Sequence, residues 1–591
     1  MTKITAIELE NFQAIDRRVR IELKPITLLY GPNSAGKSSV FDAIELLQIL
    51  LDPPKFNQRK AADMVDRWAR RPGKYYGCRE TSLAVEFPFT NWEGLDEPEM
   101  AQGELWRDSE NWAEGEIPTN NPCFYIDAYD EDLVKKIYGK TVRIAMTLKV
   151  IDKDKYKKCF ISEFSIHLGD ALIVKMEKNA SDEDDLKEIN SKRDKMLRWL
   201  TLYDELGFVS PSLVNRLLNL PEKVKYTQLF SKTEKSLQIN QWVLSGSLSA
   251  RNIDLPSEVD QPIFYGPLVE AEQQSICRNL SDIFFFFGAM LWTPLRKSPS
   301  LVHSDRRAPK PEETLTVVNL GLRGWWDKST FSPSSPAIFI KSYIKPLDGH
   351  YQNLAEAAHA ELILRTSKND FWGGEHAAKY VDTVNTRAKI LDRVNHHLQK
   401  SLFTEKLYQL SCASTLMVPI DLSEDDPWRY YSLAQPAVVR LFLEDSTGQK
   451  VDLNDVGSGV PFVLPVLYAV SAQGFIGVQQ PELHLHPALQ SSLADVFIEE
   501  LHREGCGQFV VETHSEHFLL RLLRRIRNTE KGKTLSGDLK LTNDQIAVYY
   551  FDPQVGGGTF VSRQLVTPLG DFYNDWPRGF FSERNDDLFD E

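Results

Sequence analysis

The residues best suited to chemistry form a glycine-rich segment at positions 31–38, with the sequence GPNSAGKS. This segment has the G-x-x-x-x-G-K-S spacing of a phosphate-binding loop. An apolar run precedes it at 26–30 and apolar residues at helical spacing follow it, so the loop is predicted to join a buried strand to a helix. Gly31 and Gly36 let the backbone turn its N–H groups toward phosphate oxygens, and the helix N-terminus adds partial positive charge. The sequence therefore predicts a nucleoside triphosphate site.

Two side chains of this loop have expected roles in binding ATP and Mg²⁺. Lys37 is expected to reach the outer phosphates, and the Ser38 hydroxyl is expected to complete the shell of a bound magnesium ion. The residues predicted to contact the nucleotide in this loop are Gly31, Pro32, Asn33, Ser34, Ala35, Gly36, Lys37, Ser38 and Ser39.

Three further motifs follow in quick order in the C-terminal third of the chain. They are NDVGSGV at 454–460, FIGVQQPELHLHP at 475–487 and FVVETHS at 509–515. Taken singly they are ordinary, because a Gly-Ser-Gly turn before a helix is usually a cap and a histidine after a strand is usually a loop residue. The two histidines of LHLH also lack a third ligand at metal-binding spacing. Their order behind a phosphate loop is what makes them informative.

The arrangement resembles the head domain of ABC-type AAA ATPases of the SMC, RecF and overcoming-lysogenization-defect (OLD) group. In that group the two ends of the chain fold into one head. The sequence is most similar to anti-phage ATPases of the Septu and retron-associated kind, which share the PELHLHP block, the ETHS segment and a terminal W-P-x-G-F-F element, here at 576–581. A central WTPLR segment at 292–296 is similar as well.

The resemblance implies a role for each motif and an oligomer that sandwiches ATP between two heads. Residues 475–480 would form the Walker B strand, 485–486 the D-loop, and His514 the switch histidine. Residues 456–460 would form the signature loop, which contacts the γ-phosphate bound to the opposite subunit through Gly457, Ser458 and Gly459. A homodimer or higher oligomer is therefore expected.

The Walker B strand departs from the pattern of the family at its end. In place of the Asp-Glu pair that serves magnesium and polarises the attacking water, this chain has Gln479 and Gln480. Glutamine cannot accept a proton, so catalysis is expected to depend on Lys37, magnesium and His514, and ATP hydrolysis is expected to be very slow. Gln479 remains the predicted second magnesium ligand, and Glu482 is the nearest carboxylate that could substitute as a base. Two origins stay open for Gln479, an engineered Glu→Gln change and natural decay to a slow switch.

Composition limits the possible partners. The formal net charge of −14 argues against a surface that is basic throughout. A basic cluster at 521–533 is interpreted as a solvated helix face. The longest apolar window, near 284–292, is too short to span a membrane. The N-terminus lacks a signal-peptide pattern, and the six cysteines are scattered, which fits a reducing cytoplasm.

The predicted fold is an α/β P-loop head with a mixed sheet, a smaller antiparallel lobe and a large helical insertion. Residues 1–170 and 436–591 are assigned to the head, 171–260 to a helical arm or lid, and 261–435 to a connecting region with a loop-rich segment. Sustained heptads are missing from the sequence, so a long coiled coil is not predicted.

The preferred function is an ATPase that senses or regulates a separate nuclease, with the HNH type suspected, in cytoplasmic phage defence. Nucleic acid is a further candidate partner, and no membrane is expected. One alternative is a DNA repair or chromosome-maintenance ATPase of the SMC/RecF kind, and another is an OLD-like nuclease in its own right. The Asn395-His396-His397 triplet lies in a helix-like run, so it is interpreted as core and surface positions rather than as an HNH site.

Overall fold

The computed structural model describes sixteen segments that carry the sheets and helices of the head. They are residues 3–51, 58–66, 79–88, 139–153, 156–178, 197–203, 236–243, 300–306, 315–318, 349–366, 375–416, 437–472, 474–503, 507–533, 537–555 and 557–574. The segments 292–296 and 576–581, on which part of the family resemblance depends, lie outside these residues.

The strand that precedes the phosphate loop lies inside a six-stranded sheet. The strands of this sheet are β3 (Ile26–Tyr30), β10 (Ser300–Val302), β15 (Phe475–Gln479), β16 (Gln508–Glu512), β17 (Ile546–Pro553) and β18 (Thr559–Gln564). Their order is β10-β15-β16-β3-β17-β18, and all neighbours pair in parallel except β17 and β18. Every position of β3, β15 and β16 is buried, as expected for parallel strands covered on both faces.

Seven α-helices lie within the described residues. They are α1 (Ser38–Leu51), α2 (Gln58–Asp66), α3 (Gly349–Thr366), α4 (Glu375–His396), α5 (Gly459–Ser471), α6 (Pro487–Leu501) and α7 (Glu516–Glu530). Residues of α3 to α7 share one buried apolar cluster with β3, β15 and β16. Helix α1 packs where Gly477 leaves room for it, since a Cβ at Gly477 would lie 2.9 Å from the Phe41 ring.

The second sheet has eight antiparallel strands and forms the predicted antiparallel lobe, which is not the smaller one expected because it has two strands more than the parallel sheet. The strands are β1 (Ala6–Glu10), β2 (Val19–Glu22), β4 (Arg79–Pro88), β5 (Thr141–Lys153), β6 (Tyr156–Leu168), β7 (Ala171–Lys178), β8 (Leu197–Tyr203) and β9 (Ser236–Val243). They follow the order β2-β1-β4-β5-β6-β7-β8-β9. Along β5, residues 141–150 alternate between buried and more exposed positions, as expected for a sheet with one covered face. The α/β class with mixed and antiparallel sheets is therefore confirmed.

The helical arm expected at 171–260 is wrong for the residues of that range that the structure describes. They form β7, β8 and β9, which extend the antiparallel sheet because β7 pairs with β6, β8 with β7 and β9 with β8. The charged composition of the range favoured a helix, but short alternating stretches such as Leu237, Ile239 and Val243 fit strand pairing. Tertiary pairing here outweighs local propensity.

The region 261–435, expected to be a connector, supplies parts of the head itself. It contributes β10 to the edge of the parallel sheet and α3 and α4 to the main core. A third, four-stranded sheet contains β11 (Leu315–Val318), β12 (Gln409–Leu416), β13 (Ala437–Glu444) and β14 (Lys450–Val451). The boundary predicted at 435 therefore cuts through one packed unit.

Helix α4 ends in a π-helical turn, His397–Leu402, next to the triplet considered for an HNH site. Asn395 exchanges two hydrogen bonds with the backbone of Leu410, and His397 Nε2 lies 2.7 Å from the buried Glu500 carboxylate. These contacts agree with the interpretation of the triplet as packing residues. Within the described residues, no helix is long and apolar enough to cross a membrane.

Candidate functional site: the phosphate loop and the ends of strands β15 and β16

Backbone conformation and close packing explain the glycines of the 31–38 loop. Gly31 and Gly36 have φ values of 143° and 91°, which side chains rarely tolerate. A Cβ on Gly31 would lie 2.4 Å from the Phe551 carbonyl oxygen, and one on Gly36 would lie 2.5 Å from the Ala14 methyl group. Ser34 also has a left-handed φ of 63°. The loop is thus held in one strained shape by its neighbours.

Lys37 lies beneath this loop with its side chain only 3% exposed. Its Nζ donates hydrogen bonds to the carbonyls of Gly31 and Pro32, each at 2.9 Å, and lies 3.9 Å from Glu512 Oε1. Burial lowers the pKa of Lys37, and the carboxylates of Glu512 and Glu482 oppose that shift. The ammonium is therefore positioned inside the loop as the predicted phosphate-binding charge.

The carboxylate closest to this lysine belongs to Glu512, at the end of β16. The Ser38 hydroxyl donates to Glu512 Oε2 at 3.1 Å, and the Gln479 side chain also donates to this carboxylate. Burial raises the pKa of Glu512, while Lys37 and these two hydrogen bonds act in the opposite direction. A buried carboxylate of this kind binds a cation or takes a proton more readily than a solvated one.

The glutamine pair at the end of β15 is held by backbone contacts. Gln479 Oε1 accepts a hydrogen bond from the Ser304 N–H at 3.2 Å, which turns its amide nitrogen toward Glu512. Gln480 adopts a left-handed φ of 46°, and its N–H donates to the Glu512 carbonyl at 2.6 Å. With its oxygen bonded to Ser304, Gln479 presents an amide to the site, and its role as a metal ligand stays a prediction.

Glu482, the expected substitute for the missing base, has a different set of contacts. Its carboxylate accepts from Thr513 Oγ1 and from the His514 N–H, each at 2.8 Å. Burial raises the pKa of Glu482 against the effect of these hydrogen bonds. Glu482 therefore joins the turn after β15 to the turn after β16, and its carboxylate oxygens serve that junction.

His514, the predicted switch histidine, follows β16 directly. Burial lowers its pKa to about 4, and the charge of Lys37 acts in the same direction, so the imidazole is neutral at physiological pH. Ser515 then begins α7, with its hydroxyl accepting from the Phe518 N–H. The structure thus brings His514 to the same end of the sheet as Lys37 and Glu512.

The predicted signature loop lies at the start of α5. Gly457 and Ser458 are exposed, and a Cβ on Gly459 would lie 2.8 Å from the His484 carbonyl oxygen. The Phe462 ring, in the first turn of α5, lies 4.2 Å from the His484 ring. These contacts place the loop against the turn that includes Glu482, with Gly457 and Ser458 on its exposed side.

The basic cluster at 521–533 contributes to internal packing. Arg521 and Arg525 form ion pairs with Asp495 at 3.1 and 2.7 Å, and Arg527 pairs with Asp571 at 2.6 Å. These arginines tie α7 to α6 and to the C-terminal strand region. Arg524 is exposed, so the interpretation as a solvated helix face holds for only part of the basic cluster.

Two functional candidates carried too weak a sequence signal. Glu512 was assigned to the switch segment, and only its sheet partners show that it faces Ser38. Arg306 donates to the carbonyls of Gln479 and Gln480 from a segment that was expected to be loop-rich. Gln479 and Glu512 are paired positions of β15 and β16, and knowledge of this pairing would have placed Glu512 in the site. The order of the strands, however, cannot be read from a single sequence.

Two family models match separate parts of the chain. One, described as "AAA ATPase domain", matches residues 2–262. The other, described as "AAA domain, putative AbiEii toxin, Type IV TA system", matches residues 373–521. The first match includes the 31–38 loop and the second includes Gln479, Glu482 and Glu512, so together they support an ATPase. No curated protein matches this chain.

Several solved SMC heads are similar over most of the chain at low identity. A SmcHead bound to the C-winged helix domain of ScpA is 11% identical, with 95% of this chain and 97% of that chain covered and a TM-score of 0.34. A Smc head domain with an extended coiled coil bound to the C-terminal domain of ScpA, from Pyrococcus furiosus, is 12% identical, with 95% of this chain and 96% of that chain covered and a TM-score of 0.34. The SMC head domain from Thermotoga maritima is 8% identical, with 95% of this chain and 98% of that chain covered and a TM-score of 0.29. TM-scores of this size leave function and partners to other observations.

Proposed function

We propose that this protein binds ATP with Mg²⁺ at the 31–38 loop and hydrolyses it slowly. The observation that supports this best is the convergence of Lys37, Ser38 and Glu512 at one end of the parallel sheet. An ammonium, a hydroxyl and a carboxylate within hydrogen-bonding or ion-pair range are the groups that phosphoryl transfer requires.

The residues present fit a magnesium ion. Ser38 and Glu512 offer a hydroxyl oxygen and a carboxylate oxygen 3.1 Å apart, and Mg²⁺ prefers oxygen ligands of this kind. When bound, the ion would neutralise phosphate charge. Glu512 then takes the place that the Walker B carboxylate has in related ATPases, with Gln479 beside it.

The chain's own groups divide the remaining work. Lys37 neutralises the outer phosphates, and the backbone N–H groups of the loop and the start of α1 bind the phosphate oxygens. Glu512 has two carboxylate oxygens, so one can hold the ion while the other accepts a proton from the attacking water. Gln479 and Gln480 can only orient a water molecule.

Two heads are proposed to associate around ATP. Gly457 and Ser458 are exposed at the start of α5, where the N–H groups of a helix N-terminus are available to an anion. A loop of this kind has a role only opposite the nucleotide of a second subunit, which supports a homodimer or a higher oligomer.

We further propose that ATP binding in this protein controls a nuclease supplied by another chain in phage defence. The match of residues 373–521 to a family described with a toxin of a type IV toxin–antitoxin system supports a defence role. Chromosome maintenance of the SMC/RecF kind is the second candidate, and nuclease activity of the chain itself is the third. Purified protein that cuts DNA with Mg²⁺ or Mn²⁺, with or without an intact Lys37, would favour the third.

The ATP site is tested with two variants and a matched control. Lys37→Ala should abolish ATP binding in calorimetry and leave the melting temperature close to that of the parent, because one ammonium offsets the clustered phosphate charge. Lys406→Ala, at an exposed lysine, should bind ATP normally. Ser458→Arg should keep ATP binding and lose ATP-dependent association in light scattering, since a bulky cation would occupy the partner's approach. Unchanged affinity in Lys37→Ala would exclude the assignment.

A further inference from the structure

A single arginine connects three segments next to the proposed site. Arg306 follows β10, and its Nε donates to the Phe462 carbonyl at 2.9 Å. Its Nη1 and Nη2 donate to the carbonyls of Gln479 and Gln480 at 2.8 and 2.7 Å. A fourth hydrogen bond, to the His303 carbonyl at 3.1 Å, closes its own turn.

The burial of this side chain indicates a specific role. Arg306 is 3% exposed, and among the described residues its hydrogen-bond acceptors are all neutral backbone carbonyls. Burial lowers its pKa to about 10, with Glu482 opposing the shift, so it stays charged at neutral pH. Burying a charge is costly, and the planar fork of a guanidinium is the side chain best able to hold several carbonyls at once.

The carbonyls that it holds belong to both functional parts of the head. Phe462 lies in the first turn of α5, directly after the 457–459 loop. Gln480 is in a left-handed conformation, which the two hydrogen bonds of its carbonyl and N–H stabilise. The turn that contains Arg306 also supplies the Ser304 N–H, which orients the Gln479 side chain toward Glu512.

We propose that Arg306 is a positioning residue that couples the 457–459 loop to the ends of β15 and β16, so that both move as one unit when nucleotide binds. The proposal rests on the proposed ATPase function. The physical basis is one rigid guanidinium group, whose Nε donates to the Phe462 carbonyl and whose Nη2 donates to the Gln480 carbonyl. Displacement of the Gln480 carbonyl must therefore move or break the contact with Phe462. Such a contact gives a free-energy coupling between the loop that meets a partner head and the turn that holds Glu512.

The test compares Arg306→Met and Arg306→Lys with the parent and with the matched control Asp305→Asn, at an exposed neighbour. Active sites are first titrated with ATP, and steady-state phosphate release is then measured against ATP concentration. We expect KM for ATP to stay within about threefold in both variants, because the 31–38 loop is intact. We expect kcat per titrated site to fall at least tenfold in Arg306→Met and less in Arg306→Lys, with weaker ATP-dependent association.

A residue that only supports folding would lower the number of titrated sites without changing the rate per site. Rates and association equal to the parent in both variants would therefore overturn the proposal, as would a loss of ATP affinity as large as the loss of kcat. If the parent itself does not bind ATP, the proposed function fails and this inference fails with it. Binding by the parent together with unaffected variants removes only this inference.

A second measurement applies if both variants fail to fold. Hydrogen exchange of the Ser458→Arg protein, which should stay monomeric, is followed with and without a non-hydrolysable ATP analogue. Coupling predicts that amide protection changes at 459–466 together with 479–485. A change confined to 479–485 would contradict it.

Discussion

The ends of strands β15 and β16 are neighbours in the sheet but differ in their chemistry. Strand β15 ends at the amide of Gln479, which Gln480 follows, and strand β16 ends at the carboxylate of Glu512. Because β16 lies between β15 and β3, a carboxylate at its end lies closer to the phosphate loop. The comparison shows that the site has a carboxylate, supplied by β16, although the Walker B motif at the end of β15 has none.

The two ends also differ in what holds them. At β15, backbone groups of Ser304 and the guanidinium of Arg306 hold the glutamines. At β16, the Glu482 carboxylate holds the turn that follows. One end is therefore positioned by donors and the other by an acceptor, and each can be disturbed separately.

The largest effect is expected from Glu512→Gln. Loss of this carboxylate should lower single-turnover hydrolysis by about a hundred- to ten-thousand-fold, the usual contribution of a general base, while ATP still binds. Glu530→Gln, at an exposed glutamate of α7, is the control and should keep the parent rate. A parent-like rate in Glu512→Gln would mean that the β16 end is not the catalytic one.

A smaller effect is expected from Glu482→Gln. Both oxygens of the Glu482 carboxylate accept hydrogen bonds, one from Thr513 Oγ1 and one from the His514 N–H. An amide has only one acceptor oxygen, so one of these two donors would lose its acceptor, and an unpaired buried donor costs about 1–3 kcal/mol. We expect a lower melting temperature and a roughly tenfold slower turnover through misplacement of His514. Complete loss of turnover at an unchanged melting temperature would instead identify Glu482 as the base.

Gln479→Glu should sharpen the comparison with a modest gain. A second carboxylate beside Glu512 should lower the magnesium concentration needed for half-maximal turnover and raise the rate less than tenfold, because Glu512 already supplies the charge. Phosphate release across a magnesium titration measures both. A gain above a hundredfold would show that β15 had lost the essential carboxylate.

The smallest effect concerns pH. Because the pKa of His514 lies near 4 in the folded protein and near 6.5 in the unfolded chain, its contribution to stability is complete above pH 6.5 and declines as pH falls toward 4. His514→Asn should therefore melt with a shallower dependence on pH in this window, and the parent's turnover should show no inflection near pH 6.5. An inflection there that the variant lacks would place a titrating His514 in the reaction.

Local sequence predicted the elements next to the phosphate loop well. Strand β3 occupies the predicted 26–30, and the predicted helix follows the loop as α1, Ser38–Leu51. These segments have clear apolar patterns, which local physics explains. Pairing of β7 to β9 and the contact between Ser38 and Glu512 depend on long-range packing instead. The charged composition of 171–260 does not indicate that β7, β8 and β9 pair, and the order of the motifs does not indicate that Ser38 meets Glu512.

The distance along the chain between paired strands has a consequence for synthesis. Tyr30, at the end of β3, donates a hydrogen bond to the Ser515 carbonyl, 485 positions later. At ribosomal rates of about 5–20 residues per second, roughly 25 to 100 s pass before that partner exists. Until then β3 has neither β16 nor β17 beside it, and both of its edges are unsatisfied. The nascent protein therefore cannot assemble this nucleotide site on the ribosome until most of the chain has been made, and a chaperone that shields an apolar strand would act on this segment first.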